Sequence, residues 1–178
     1  ANNRGLTPLN IAGSKGHLEV IKELLHGLSH EERKAYLHKA TNNGVTPLNI
    51  AANCGQVEVI KTLLQGLSTE DRLTCMSKKP KYEVSCFWIA AVKGHDNVVK
   101  ELLQGLTPTE QKIYLHMADI NGKTPLHIAA YEGHSSVINE LLKQLIPKER
   151  LTYLRMADTN GYTPLHAAAW KGHVHVIK

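Results

Sequence analysis

The sequence predicts an all-α solenoid, in which short helices joined by β-turn or hairpin tips stack unit upon unit, and three observations predict it. One motif opens at Gly5, Gly44, Glu83, Gly122 and Gly161, an unbroken interval of 39 residues. A fixed period of that length marks stacked repeats, not a globule built around one pocket. Apolar residues within each copy recur at helical spacing. No single copy holds enough apolar surface to bury its own helices, so stacking against neighbours must supply the core.

Each element can be justified in chain order. Asx-rich turns such as Asp119-Ile120-Asn121-Gly122 and Asp158-Thr159-Asn160-Gly161 end on a glycine that supplies a positive φ, which predicts a tight tip. Four copies then read Gly-x-Thr-Pro-Leu-(Asn/His)-(Ile/Ala)-Ala, as in Gly44-Val45-Thr46-Pro47-Leu48-Asn49-Ile50-Ala51. Thr caps a first helix with its hydroxyl, and Pro takes the first helical position, where its missing N–H would have had no partner. Paired small residues (Ala51-Ala52, Ala90-Ala91, Ala129-Ala130, Ala168-Ala169) let a neighbouring backbone approach, and the helix is expected to stop at Gly16, Gly55, Gly94, Gly133 or Gly172. A second helix follows, with Val57, Ile60, Leu63, Leu64 and Leu67 as its buried face in one copy and Val98, Leu102, Leu103 and Leu106 in another. After it, Ser29 with Glu32, Ser68 with Asp71, and Thr107 with Glu110 have capping-box spacing, and Pro108 and Pro147 suit a helix start. These signals predict an extra short helix per repeat, with a longer ordered loop as the alternative.

The string Gly-x-Thr-Pro-Leu-His-x-Ala-Ala-x-x-Gly-His-x-x-Val-Ile-x-x-Leu-Leu resembles the ankyrin repeat over most of every unit. The usual ankyrin period is about 33 residues, so each unit here is lengthened, and the added residues are those of the third helix. The resemblance implies one array over 1–178, with units 5–43, 44–82, 83–121, 122–160 and a partial 161–178, truncated at both ends. It also implies a non-catalytic protein-binding scaffold whose site is the concave side, formed by the tips and first helices, with a targeting module for a catalytic domain outside this fragment as an alternative. Lengthened units resemble those of effector proteins from intracellular bacteria, which act in the host cytosol.

Composition fits a soluble, cytoplasmic protein: apolar residues make up 42% of the chain, and no run approaches the roughly 20 needed to cross a bilayer. Cys54, Cys75 and Cys86 occupy unrelated slots, which suggests free thiols. The histidines follow the repeat. His127 and His166 belong to Thr-Pro-Leu-His, where the resemblance implies a hydrogen bond to the next turn, and His17, His95, His134 and His173 belong to the Gly-His step. His173 and His175 stand two apart, a spacing that separates side chains on a helix. Metal-binding, nucleophile-elbow and phosphate-loop motifs are absent, so no catalytic residue, cofactor or metal is expected.

Function should then lie where copies differ. The variable tip and first-helix positions place Tyr82, Tyr131, Tyr162 and Trp170 as anchors among Lys81, Lys93, Lys123 and Lys171, a stripe suited to a protein partner with an acidic or mixed surface. The competing reading is an ordinary solvated lysine surface. The third copy departs most, with Pro80-Lys81-Tyr82-Glu83 at its tip and Ser85-Cys86-Phe87-Trp88 for Thr-Pro-Leu-His: a specialised basic loop or drift in a redundant array. A formal charge of +5 admits phosphate binding, but no Arg-rich run or RNA-binding motif supports nucleic acid as the partner. Val174, Val176 and Ile177 offer an apolar end for self-association.

Overall fold

The computed structural model of the chain describes residues 1–77, 84–143 and 145–177, and among these the regular elements are helices with no strand. Two compact units divide at the start of the third repeat, residues 1–86 and 87–178. The first holds α1 (Pro8–Lys15), α2 (Leu18–Leu25), α3 (His30–Leu37), α4 (Pro47–Asn53), α5 (Val57–Leu64) and α6 (Thr69–Ser77). The second holds α7 (Cys86–Lys93, whose first residue falls at the division), α8 (Asp96–Leu103), α9 (Pro108–Leu115), α10 (Pro125–Glu132), α11 (Ser135–Lys143), α12 (Pro147–Leu154), α13 (Pro164–Lys171) and α14 (Val174–Ile177). The expected extra helix is present as α3, α6, α9 and α12, which excludes the ordered-loop alternative.

First helices start where Thr-Pro places them, and the cap is more complete than threonine alone. In α1 the Asn10 amide N–H donates to the Thr7 hydroxyl at 3.2 Å, while the Thr7 amide donates to Asn10 Oδ1 at 2.8 Å. The Asn/His slot of the motif thus closes a reciprocal box. Asn49 does the same for Thr46, and His127 for Thr124 through its ring nitrogen. The third copy starts α7 at Cys86 without a proline, directly after a buried Ser85, and its tip lies outside the described residues.

First helices pack on first helices across repeats, α1 on α4 and α10 on α13, and second helices do likewise, α2 on α5 and α8 on α11. The alanine pairs at 51–52, 90–91 and 129–130 are buried, as close helix approach requires. In α5 the buried residues are Val59, Ile60, Leu63 and Leu64. Val57 and Leu67, expected in that face, are only half-buried, because Val57 opens the helix and Leu67 follows its end. Val59 and, in α8, Val99 join the core because their helices pack on neighbouring second helices, α5 on α2 and α8 on α11, and α5 packs on its own first helix α4 as well.

One glycine shows how the Gly-His step works. Gly133 ends α10 at φ +80°, and a Cβ there would lie 2.9 Å from the His173 imidazole of the next repeat. The bare glycine lets His173 close in and donate from Nε2 to the Tyr131 carbonyl at 3.0 Å. His134 makes the same bond to the Val92 carbonyl at 3.1 Å.

Candidate functional site

Five residues of the sequence-predicted stripe, Lys123, Tyr131, Tyr162, Trp170 and Lys171, gather at a cleft between the fourth and fifth repeats, within the second compact unit. Its rim is set by the tips. Asp119 Oδ1 accepts from the amides of Asn121 and Lys123, both at 2.9 Å, and Asp158 Oδ1 accepts from those of Asn160 and Tyr162 at 2.9 and 3.0 Å. Thr159 then donates its amide and its hydroxyl to the Asn121 carbonyl at 3.0 and 2.9 Å, tying tip to tip. Lys123 and Tyr162 are therefore presented from braced turns, even though the tips contain no strand among the described residues.

Behind the rim lies His127, 2% exposed. Its Nδ1 accepts from the Thr124 amide at 3.2 Å and hydroxyl at 2.8 Å, and its Nε2–H donates to the Tyr162 carbonyl at 3.1 Å. Burial pushes its pKa below the ordinary histidine value, partly opposed by the Tyr162 carbonyl. The ring is a neutral strut between repeats, as the resemblance implies.

The cleft has a volume of about 220 Å³. Lys123, His127 and Tyr131 line it from the fourth repeat, and Tyr162, His166, Ala167 and Trp170 from the fifth. These are largely the same three slots used twice, 123/162, 127/166 and 131/170, each pair one period apart. In the first three repeats those slots hold Leu6, Asn10 and Ser14, then Val45, Asn49 and Asn53, then Val84, Trp88 and Val92. Repeats four and five alone carry a tyrosine or tryptophan in the third of these slots, and the fifth alone adds an aromatic in the tip slot.

Charge and rings meet at Tyr131. Lys171 Nζ lies 4.6 Å from the ring centroid and Lys123 Nζ 5.9 Å, both within cation–π range. Tyr162 meets His166 edge to face at 5.9 Å. Trp170 leaves 80% of its surface exposed beside them. On the second helices, Lys22, Lys61 and Lys143 pair with glutamates three residues before them, and on the third helices Lys34 pairs with Asp71 and Lys112 with Glu149. Among the described residues, Lys93, Lys123 and Lys171 take no part in any ion pair. Asp158, the carboxylate on the cleft wall, is committed to its own tip amides.

The structure thus brings together Lys123, Tyr131, Tyr162, Trp170 and Lys171. Lys93 is exposed as the last residue of α7 and is not part of the cleft lining. Lys81 and Tyr82 lie outside the described residues. His127, His166, Ala167 and Asp158 went unnamed as site residues in the sequence because their repeat positions read as structural; the helical offset of 166 and 167 from Trp170 is the signal that points to two of them.

No group of three or more His, Cys, Asp or Glu side chains that could hold a metal occurs among the described residues. The expectation that His173 and His175 stand apart is corrected: their ring centroids are 5.6 Å apart. His173 precedes α14, so helical spacing does not govern it, and His175 Nε2 donates to the Gly133 carbonyl at 3.0 Å beside the His173 bond. None of the three cysteines is in a disulfide; Cys54 is exposed and Cys75 and Cys86 are buried. No described helix is long and apolar enough to cross a membrane.

The family model for ankyrin repeats (three copies) matches residues 1–72 and 87–178. The unmatched stretch contains the altered tip of the third repeat. No curated protein matches the chain. Ankyrin repeats generally serve as protein–protein interaction modules and are typically non-catalytic scaffolds. With its capped Thr-Pro helices, Gly-His ties and repeat-on-repeat packing, this chain belongs to the ankyrin-repeat family.

Proposed function

We propose that the chain is a non-catalytic scaffold that binds a partner protein, of acidic or mixed surface, at the cleft of the fourth and fifth repeats. The carrying observation is the conjunction at Tyr131: two lysines without carboxylate partners among the described residues lie over one ring, next to an indole that is 80% exposed. Aromatic side chains provide large contact area at interface centres, and unpaired cations steer and orient an acidic partner. Lys93, Lys81 and Tyr82 are proposed as further partner contacts. The exposed Val174 and Ile177 support weak self-association at that end of the chain. The lengthened 39-residue unit is the support for an origin among bacterial effectors acting in a host cytosol.

Affinity capture from cell lysate, with nuclease present and at low and moderate salt, tests this reading. A protein retained by the parent and lost by the Tyr131→Ala, Trp170→Ala double variant supports the cleft. Equal capture by both moves the site elsewhere. Retention that vanishes with nuclease assigns the charge to nucleic-acid phosphate instead.

A further inference from the structure

We infer that the cleft recognises an extended peptide segment in which an acidic residue and a large apolar residue stand two positions apart, the carboxylate going to Lys123 and Lys171 and the apolar side chain to Trp170 and Tyr162. The inference rests on the reading of the cleft as the protein-binding site. Volume decides the class of occupant: about 220 Å³ falls below the roughly 300–1,000 Å³ of small-molecule pockets. The space suits one or two anchoring side chains of a partner whose backbone runs outside it.

Charge decides the first anchor. The Lys171 ammonium lies 4.6 Å from the Tyr131 centroid, within cation–π range, which places a positive charge at the cleft where an anion would arrive. Lys123 approaches the same centroid at 5.9 Å from a tip braced by Asp119. Neither cation has to leave an existing ion pair, and Asp158 is already satisfied by backbone amides. Two like charges over one ring repel, and an incoming carboxylate relieves that repulsion.

Shape decides the second anchor. Trp170, Tyr162 and Ala167 all line the cleft, and the short Ala167 side chain takes up little of it. Tyr131 and Trp170 occupy equivalent slots on α10 and α13, and packed helix axes lie about 8–10 Å apart. Alternate side chains of an extended chain project to the same side roughly 6.5 Å apart, so residues two apart reach the cations and the indole together. Residues next to each other face opposite ways and cannot.

Selection of random dodecapeptides displayed on phage, against the immobilised 178-residue chain, tests the inference. Enriched peptides should carry Asp or Glu two positions from Leu, Phe, Tyr or Trp. Their binding should fall at least about tenfold with Trp170→Ala, as for a central aromatic anchor. Reselection on the Lys123→Glu, Lys171→Glu variant should replace the acidic residue with Lys or Arg. Thermal melts of the variants establish that they fold, which the exposure of Trp170 and Lys171 favours. Peptides that depend on Trp170 but show no acidic preference, or no charge switch, overturn the inference and leave the cleft as the site. Peptides indifferent to Trp170, or no enriched peptide at all, overturn both. Displacement of the peptides by a dT20 oligonucleotide, with a steep salt dependence, replaces the peptide with single-stranded nucleic acid.

Discussion

His127 uses both ring nitrogens, one to close the helix cap of its own repeat and the other to hold the Tyr162 carbonyl of the next. Both bonds require the neutral Nε2–H tautomer, since a proton on Nδ1 would face two donors from Thr124. Its folded pKa is depressed by burial, so the unfolded chain takes up this proton first as pH falls. The stability it contributes is present above the ordinary histidine pKa of about 6.5 and is lost as pH falls below that toward the depressed folded value. Asn10 and Asn49 fill the same slot elsewhere and cap without titrating. His127→Asn should therefore weaken the chain at pH 7.5, through loss of the Tyr162 bond, by about 1 kcal/mol. The variant should also lose less stability than the parent between pH 7.5 and 5.5. Urea midpoints at the two pH values measure both effects, and equal pH dependence in parent and variant refutes the second.

The third helix lengthens each complete repeat, and in α6 and α12 its N-terminal carboxylate serves two helices. Asp71 accepts from Ser68 of its own cap at 2.6 Å and also meets Lys34 at 2.5 Å and His30 at 3.0 Å from the preceding third helix. Lys34 foremost, then Ser68, holds its carboxyl well below the usual range. That contribution to stability is present above pH 4 and is lost only in strong acid. Glu149 repeats the arrangement, accepting from the Ile146 amide at 3.3 Å while paired with Lys112. Tyr153 adds a buried tie, its hydroxyl donating to the Leu115 carbonyl at 2.6 Å. Tyr153→Phe removes that donor and leaves a buried carbonyl short of a partner, an expected cost of about 1–2 kcal/mol by chemical denaturation. No loss would mean that the third helices pack without needing this bond.

Across the whole molecule, the side chains that hold the stack together and the side chains proposed to bind are separate sets. Leu63 is 1% exposed in the first compact unit, and Leu63→Ala should cost about 2–5 kcal/mol while leaving binding at the cleft intact wherever the chain remains folded. Trp170→Ala should do the reverse, staying within about 0.5 kcal/mol of the parent in stability while losing the partner. Paired urea melts and binding titrations of the two variants check this. Stability loss in the tryptophan variant without loss of binding would return Trp170 to the role of ordinary surface.

The Thr-Pro starts, the positive-φ glycines and the third-helix boxes were legible in the sequence because each depends on residues within a few positions of one another, and the period was legible because those local motifs recur. The same locality carried the family resemblance. Distant neighbours decided the rest. Val59 is buried because a second packing surface faces α5, and His173 meets His175 because a carbonyl ladder from the previous repeat draws both rings to it. Variable positions named Tyr131, Tyr162 and Trp170 as surface aromatics. Only the packing of α10 against α13 turned them into one cleft, laid two lysines over a single ring and left those cations without a carboxylate. Pairing between side chains 39 or 40 residues apart depends on how repeats sit on one another, and no local pattern encodes which of them will touch.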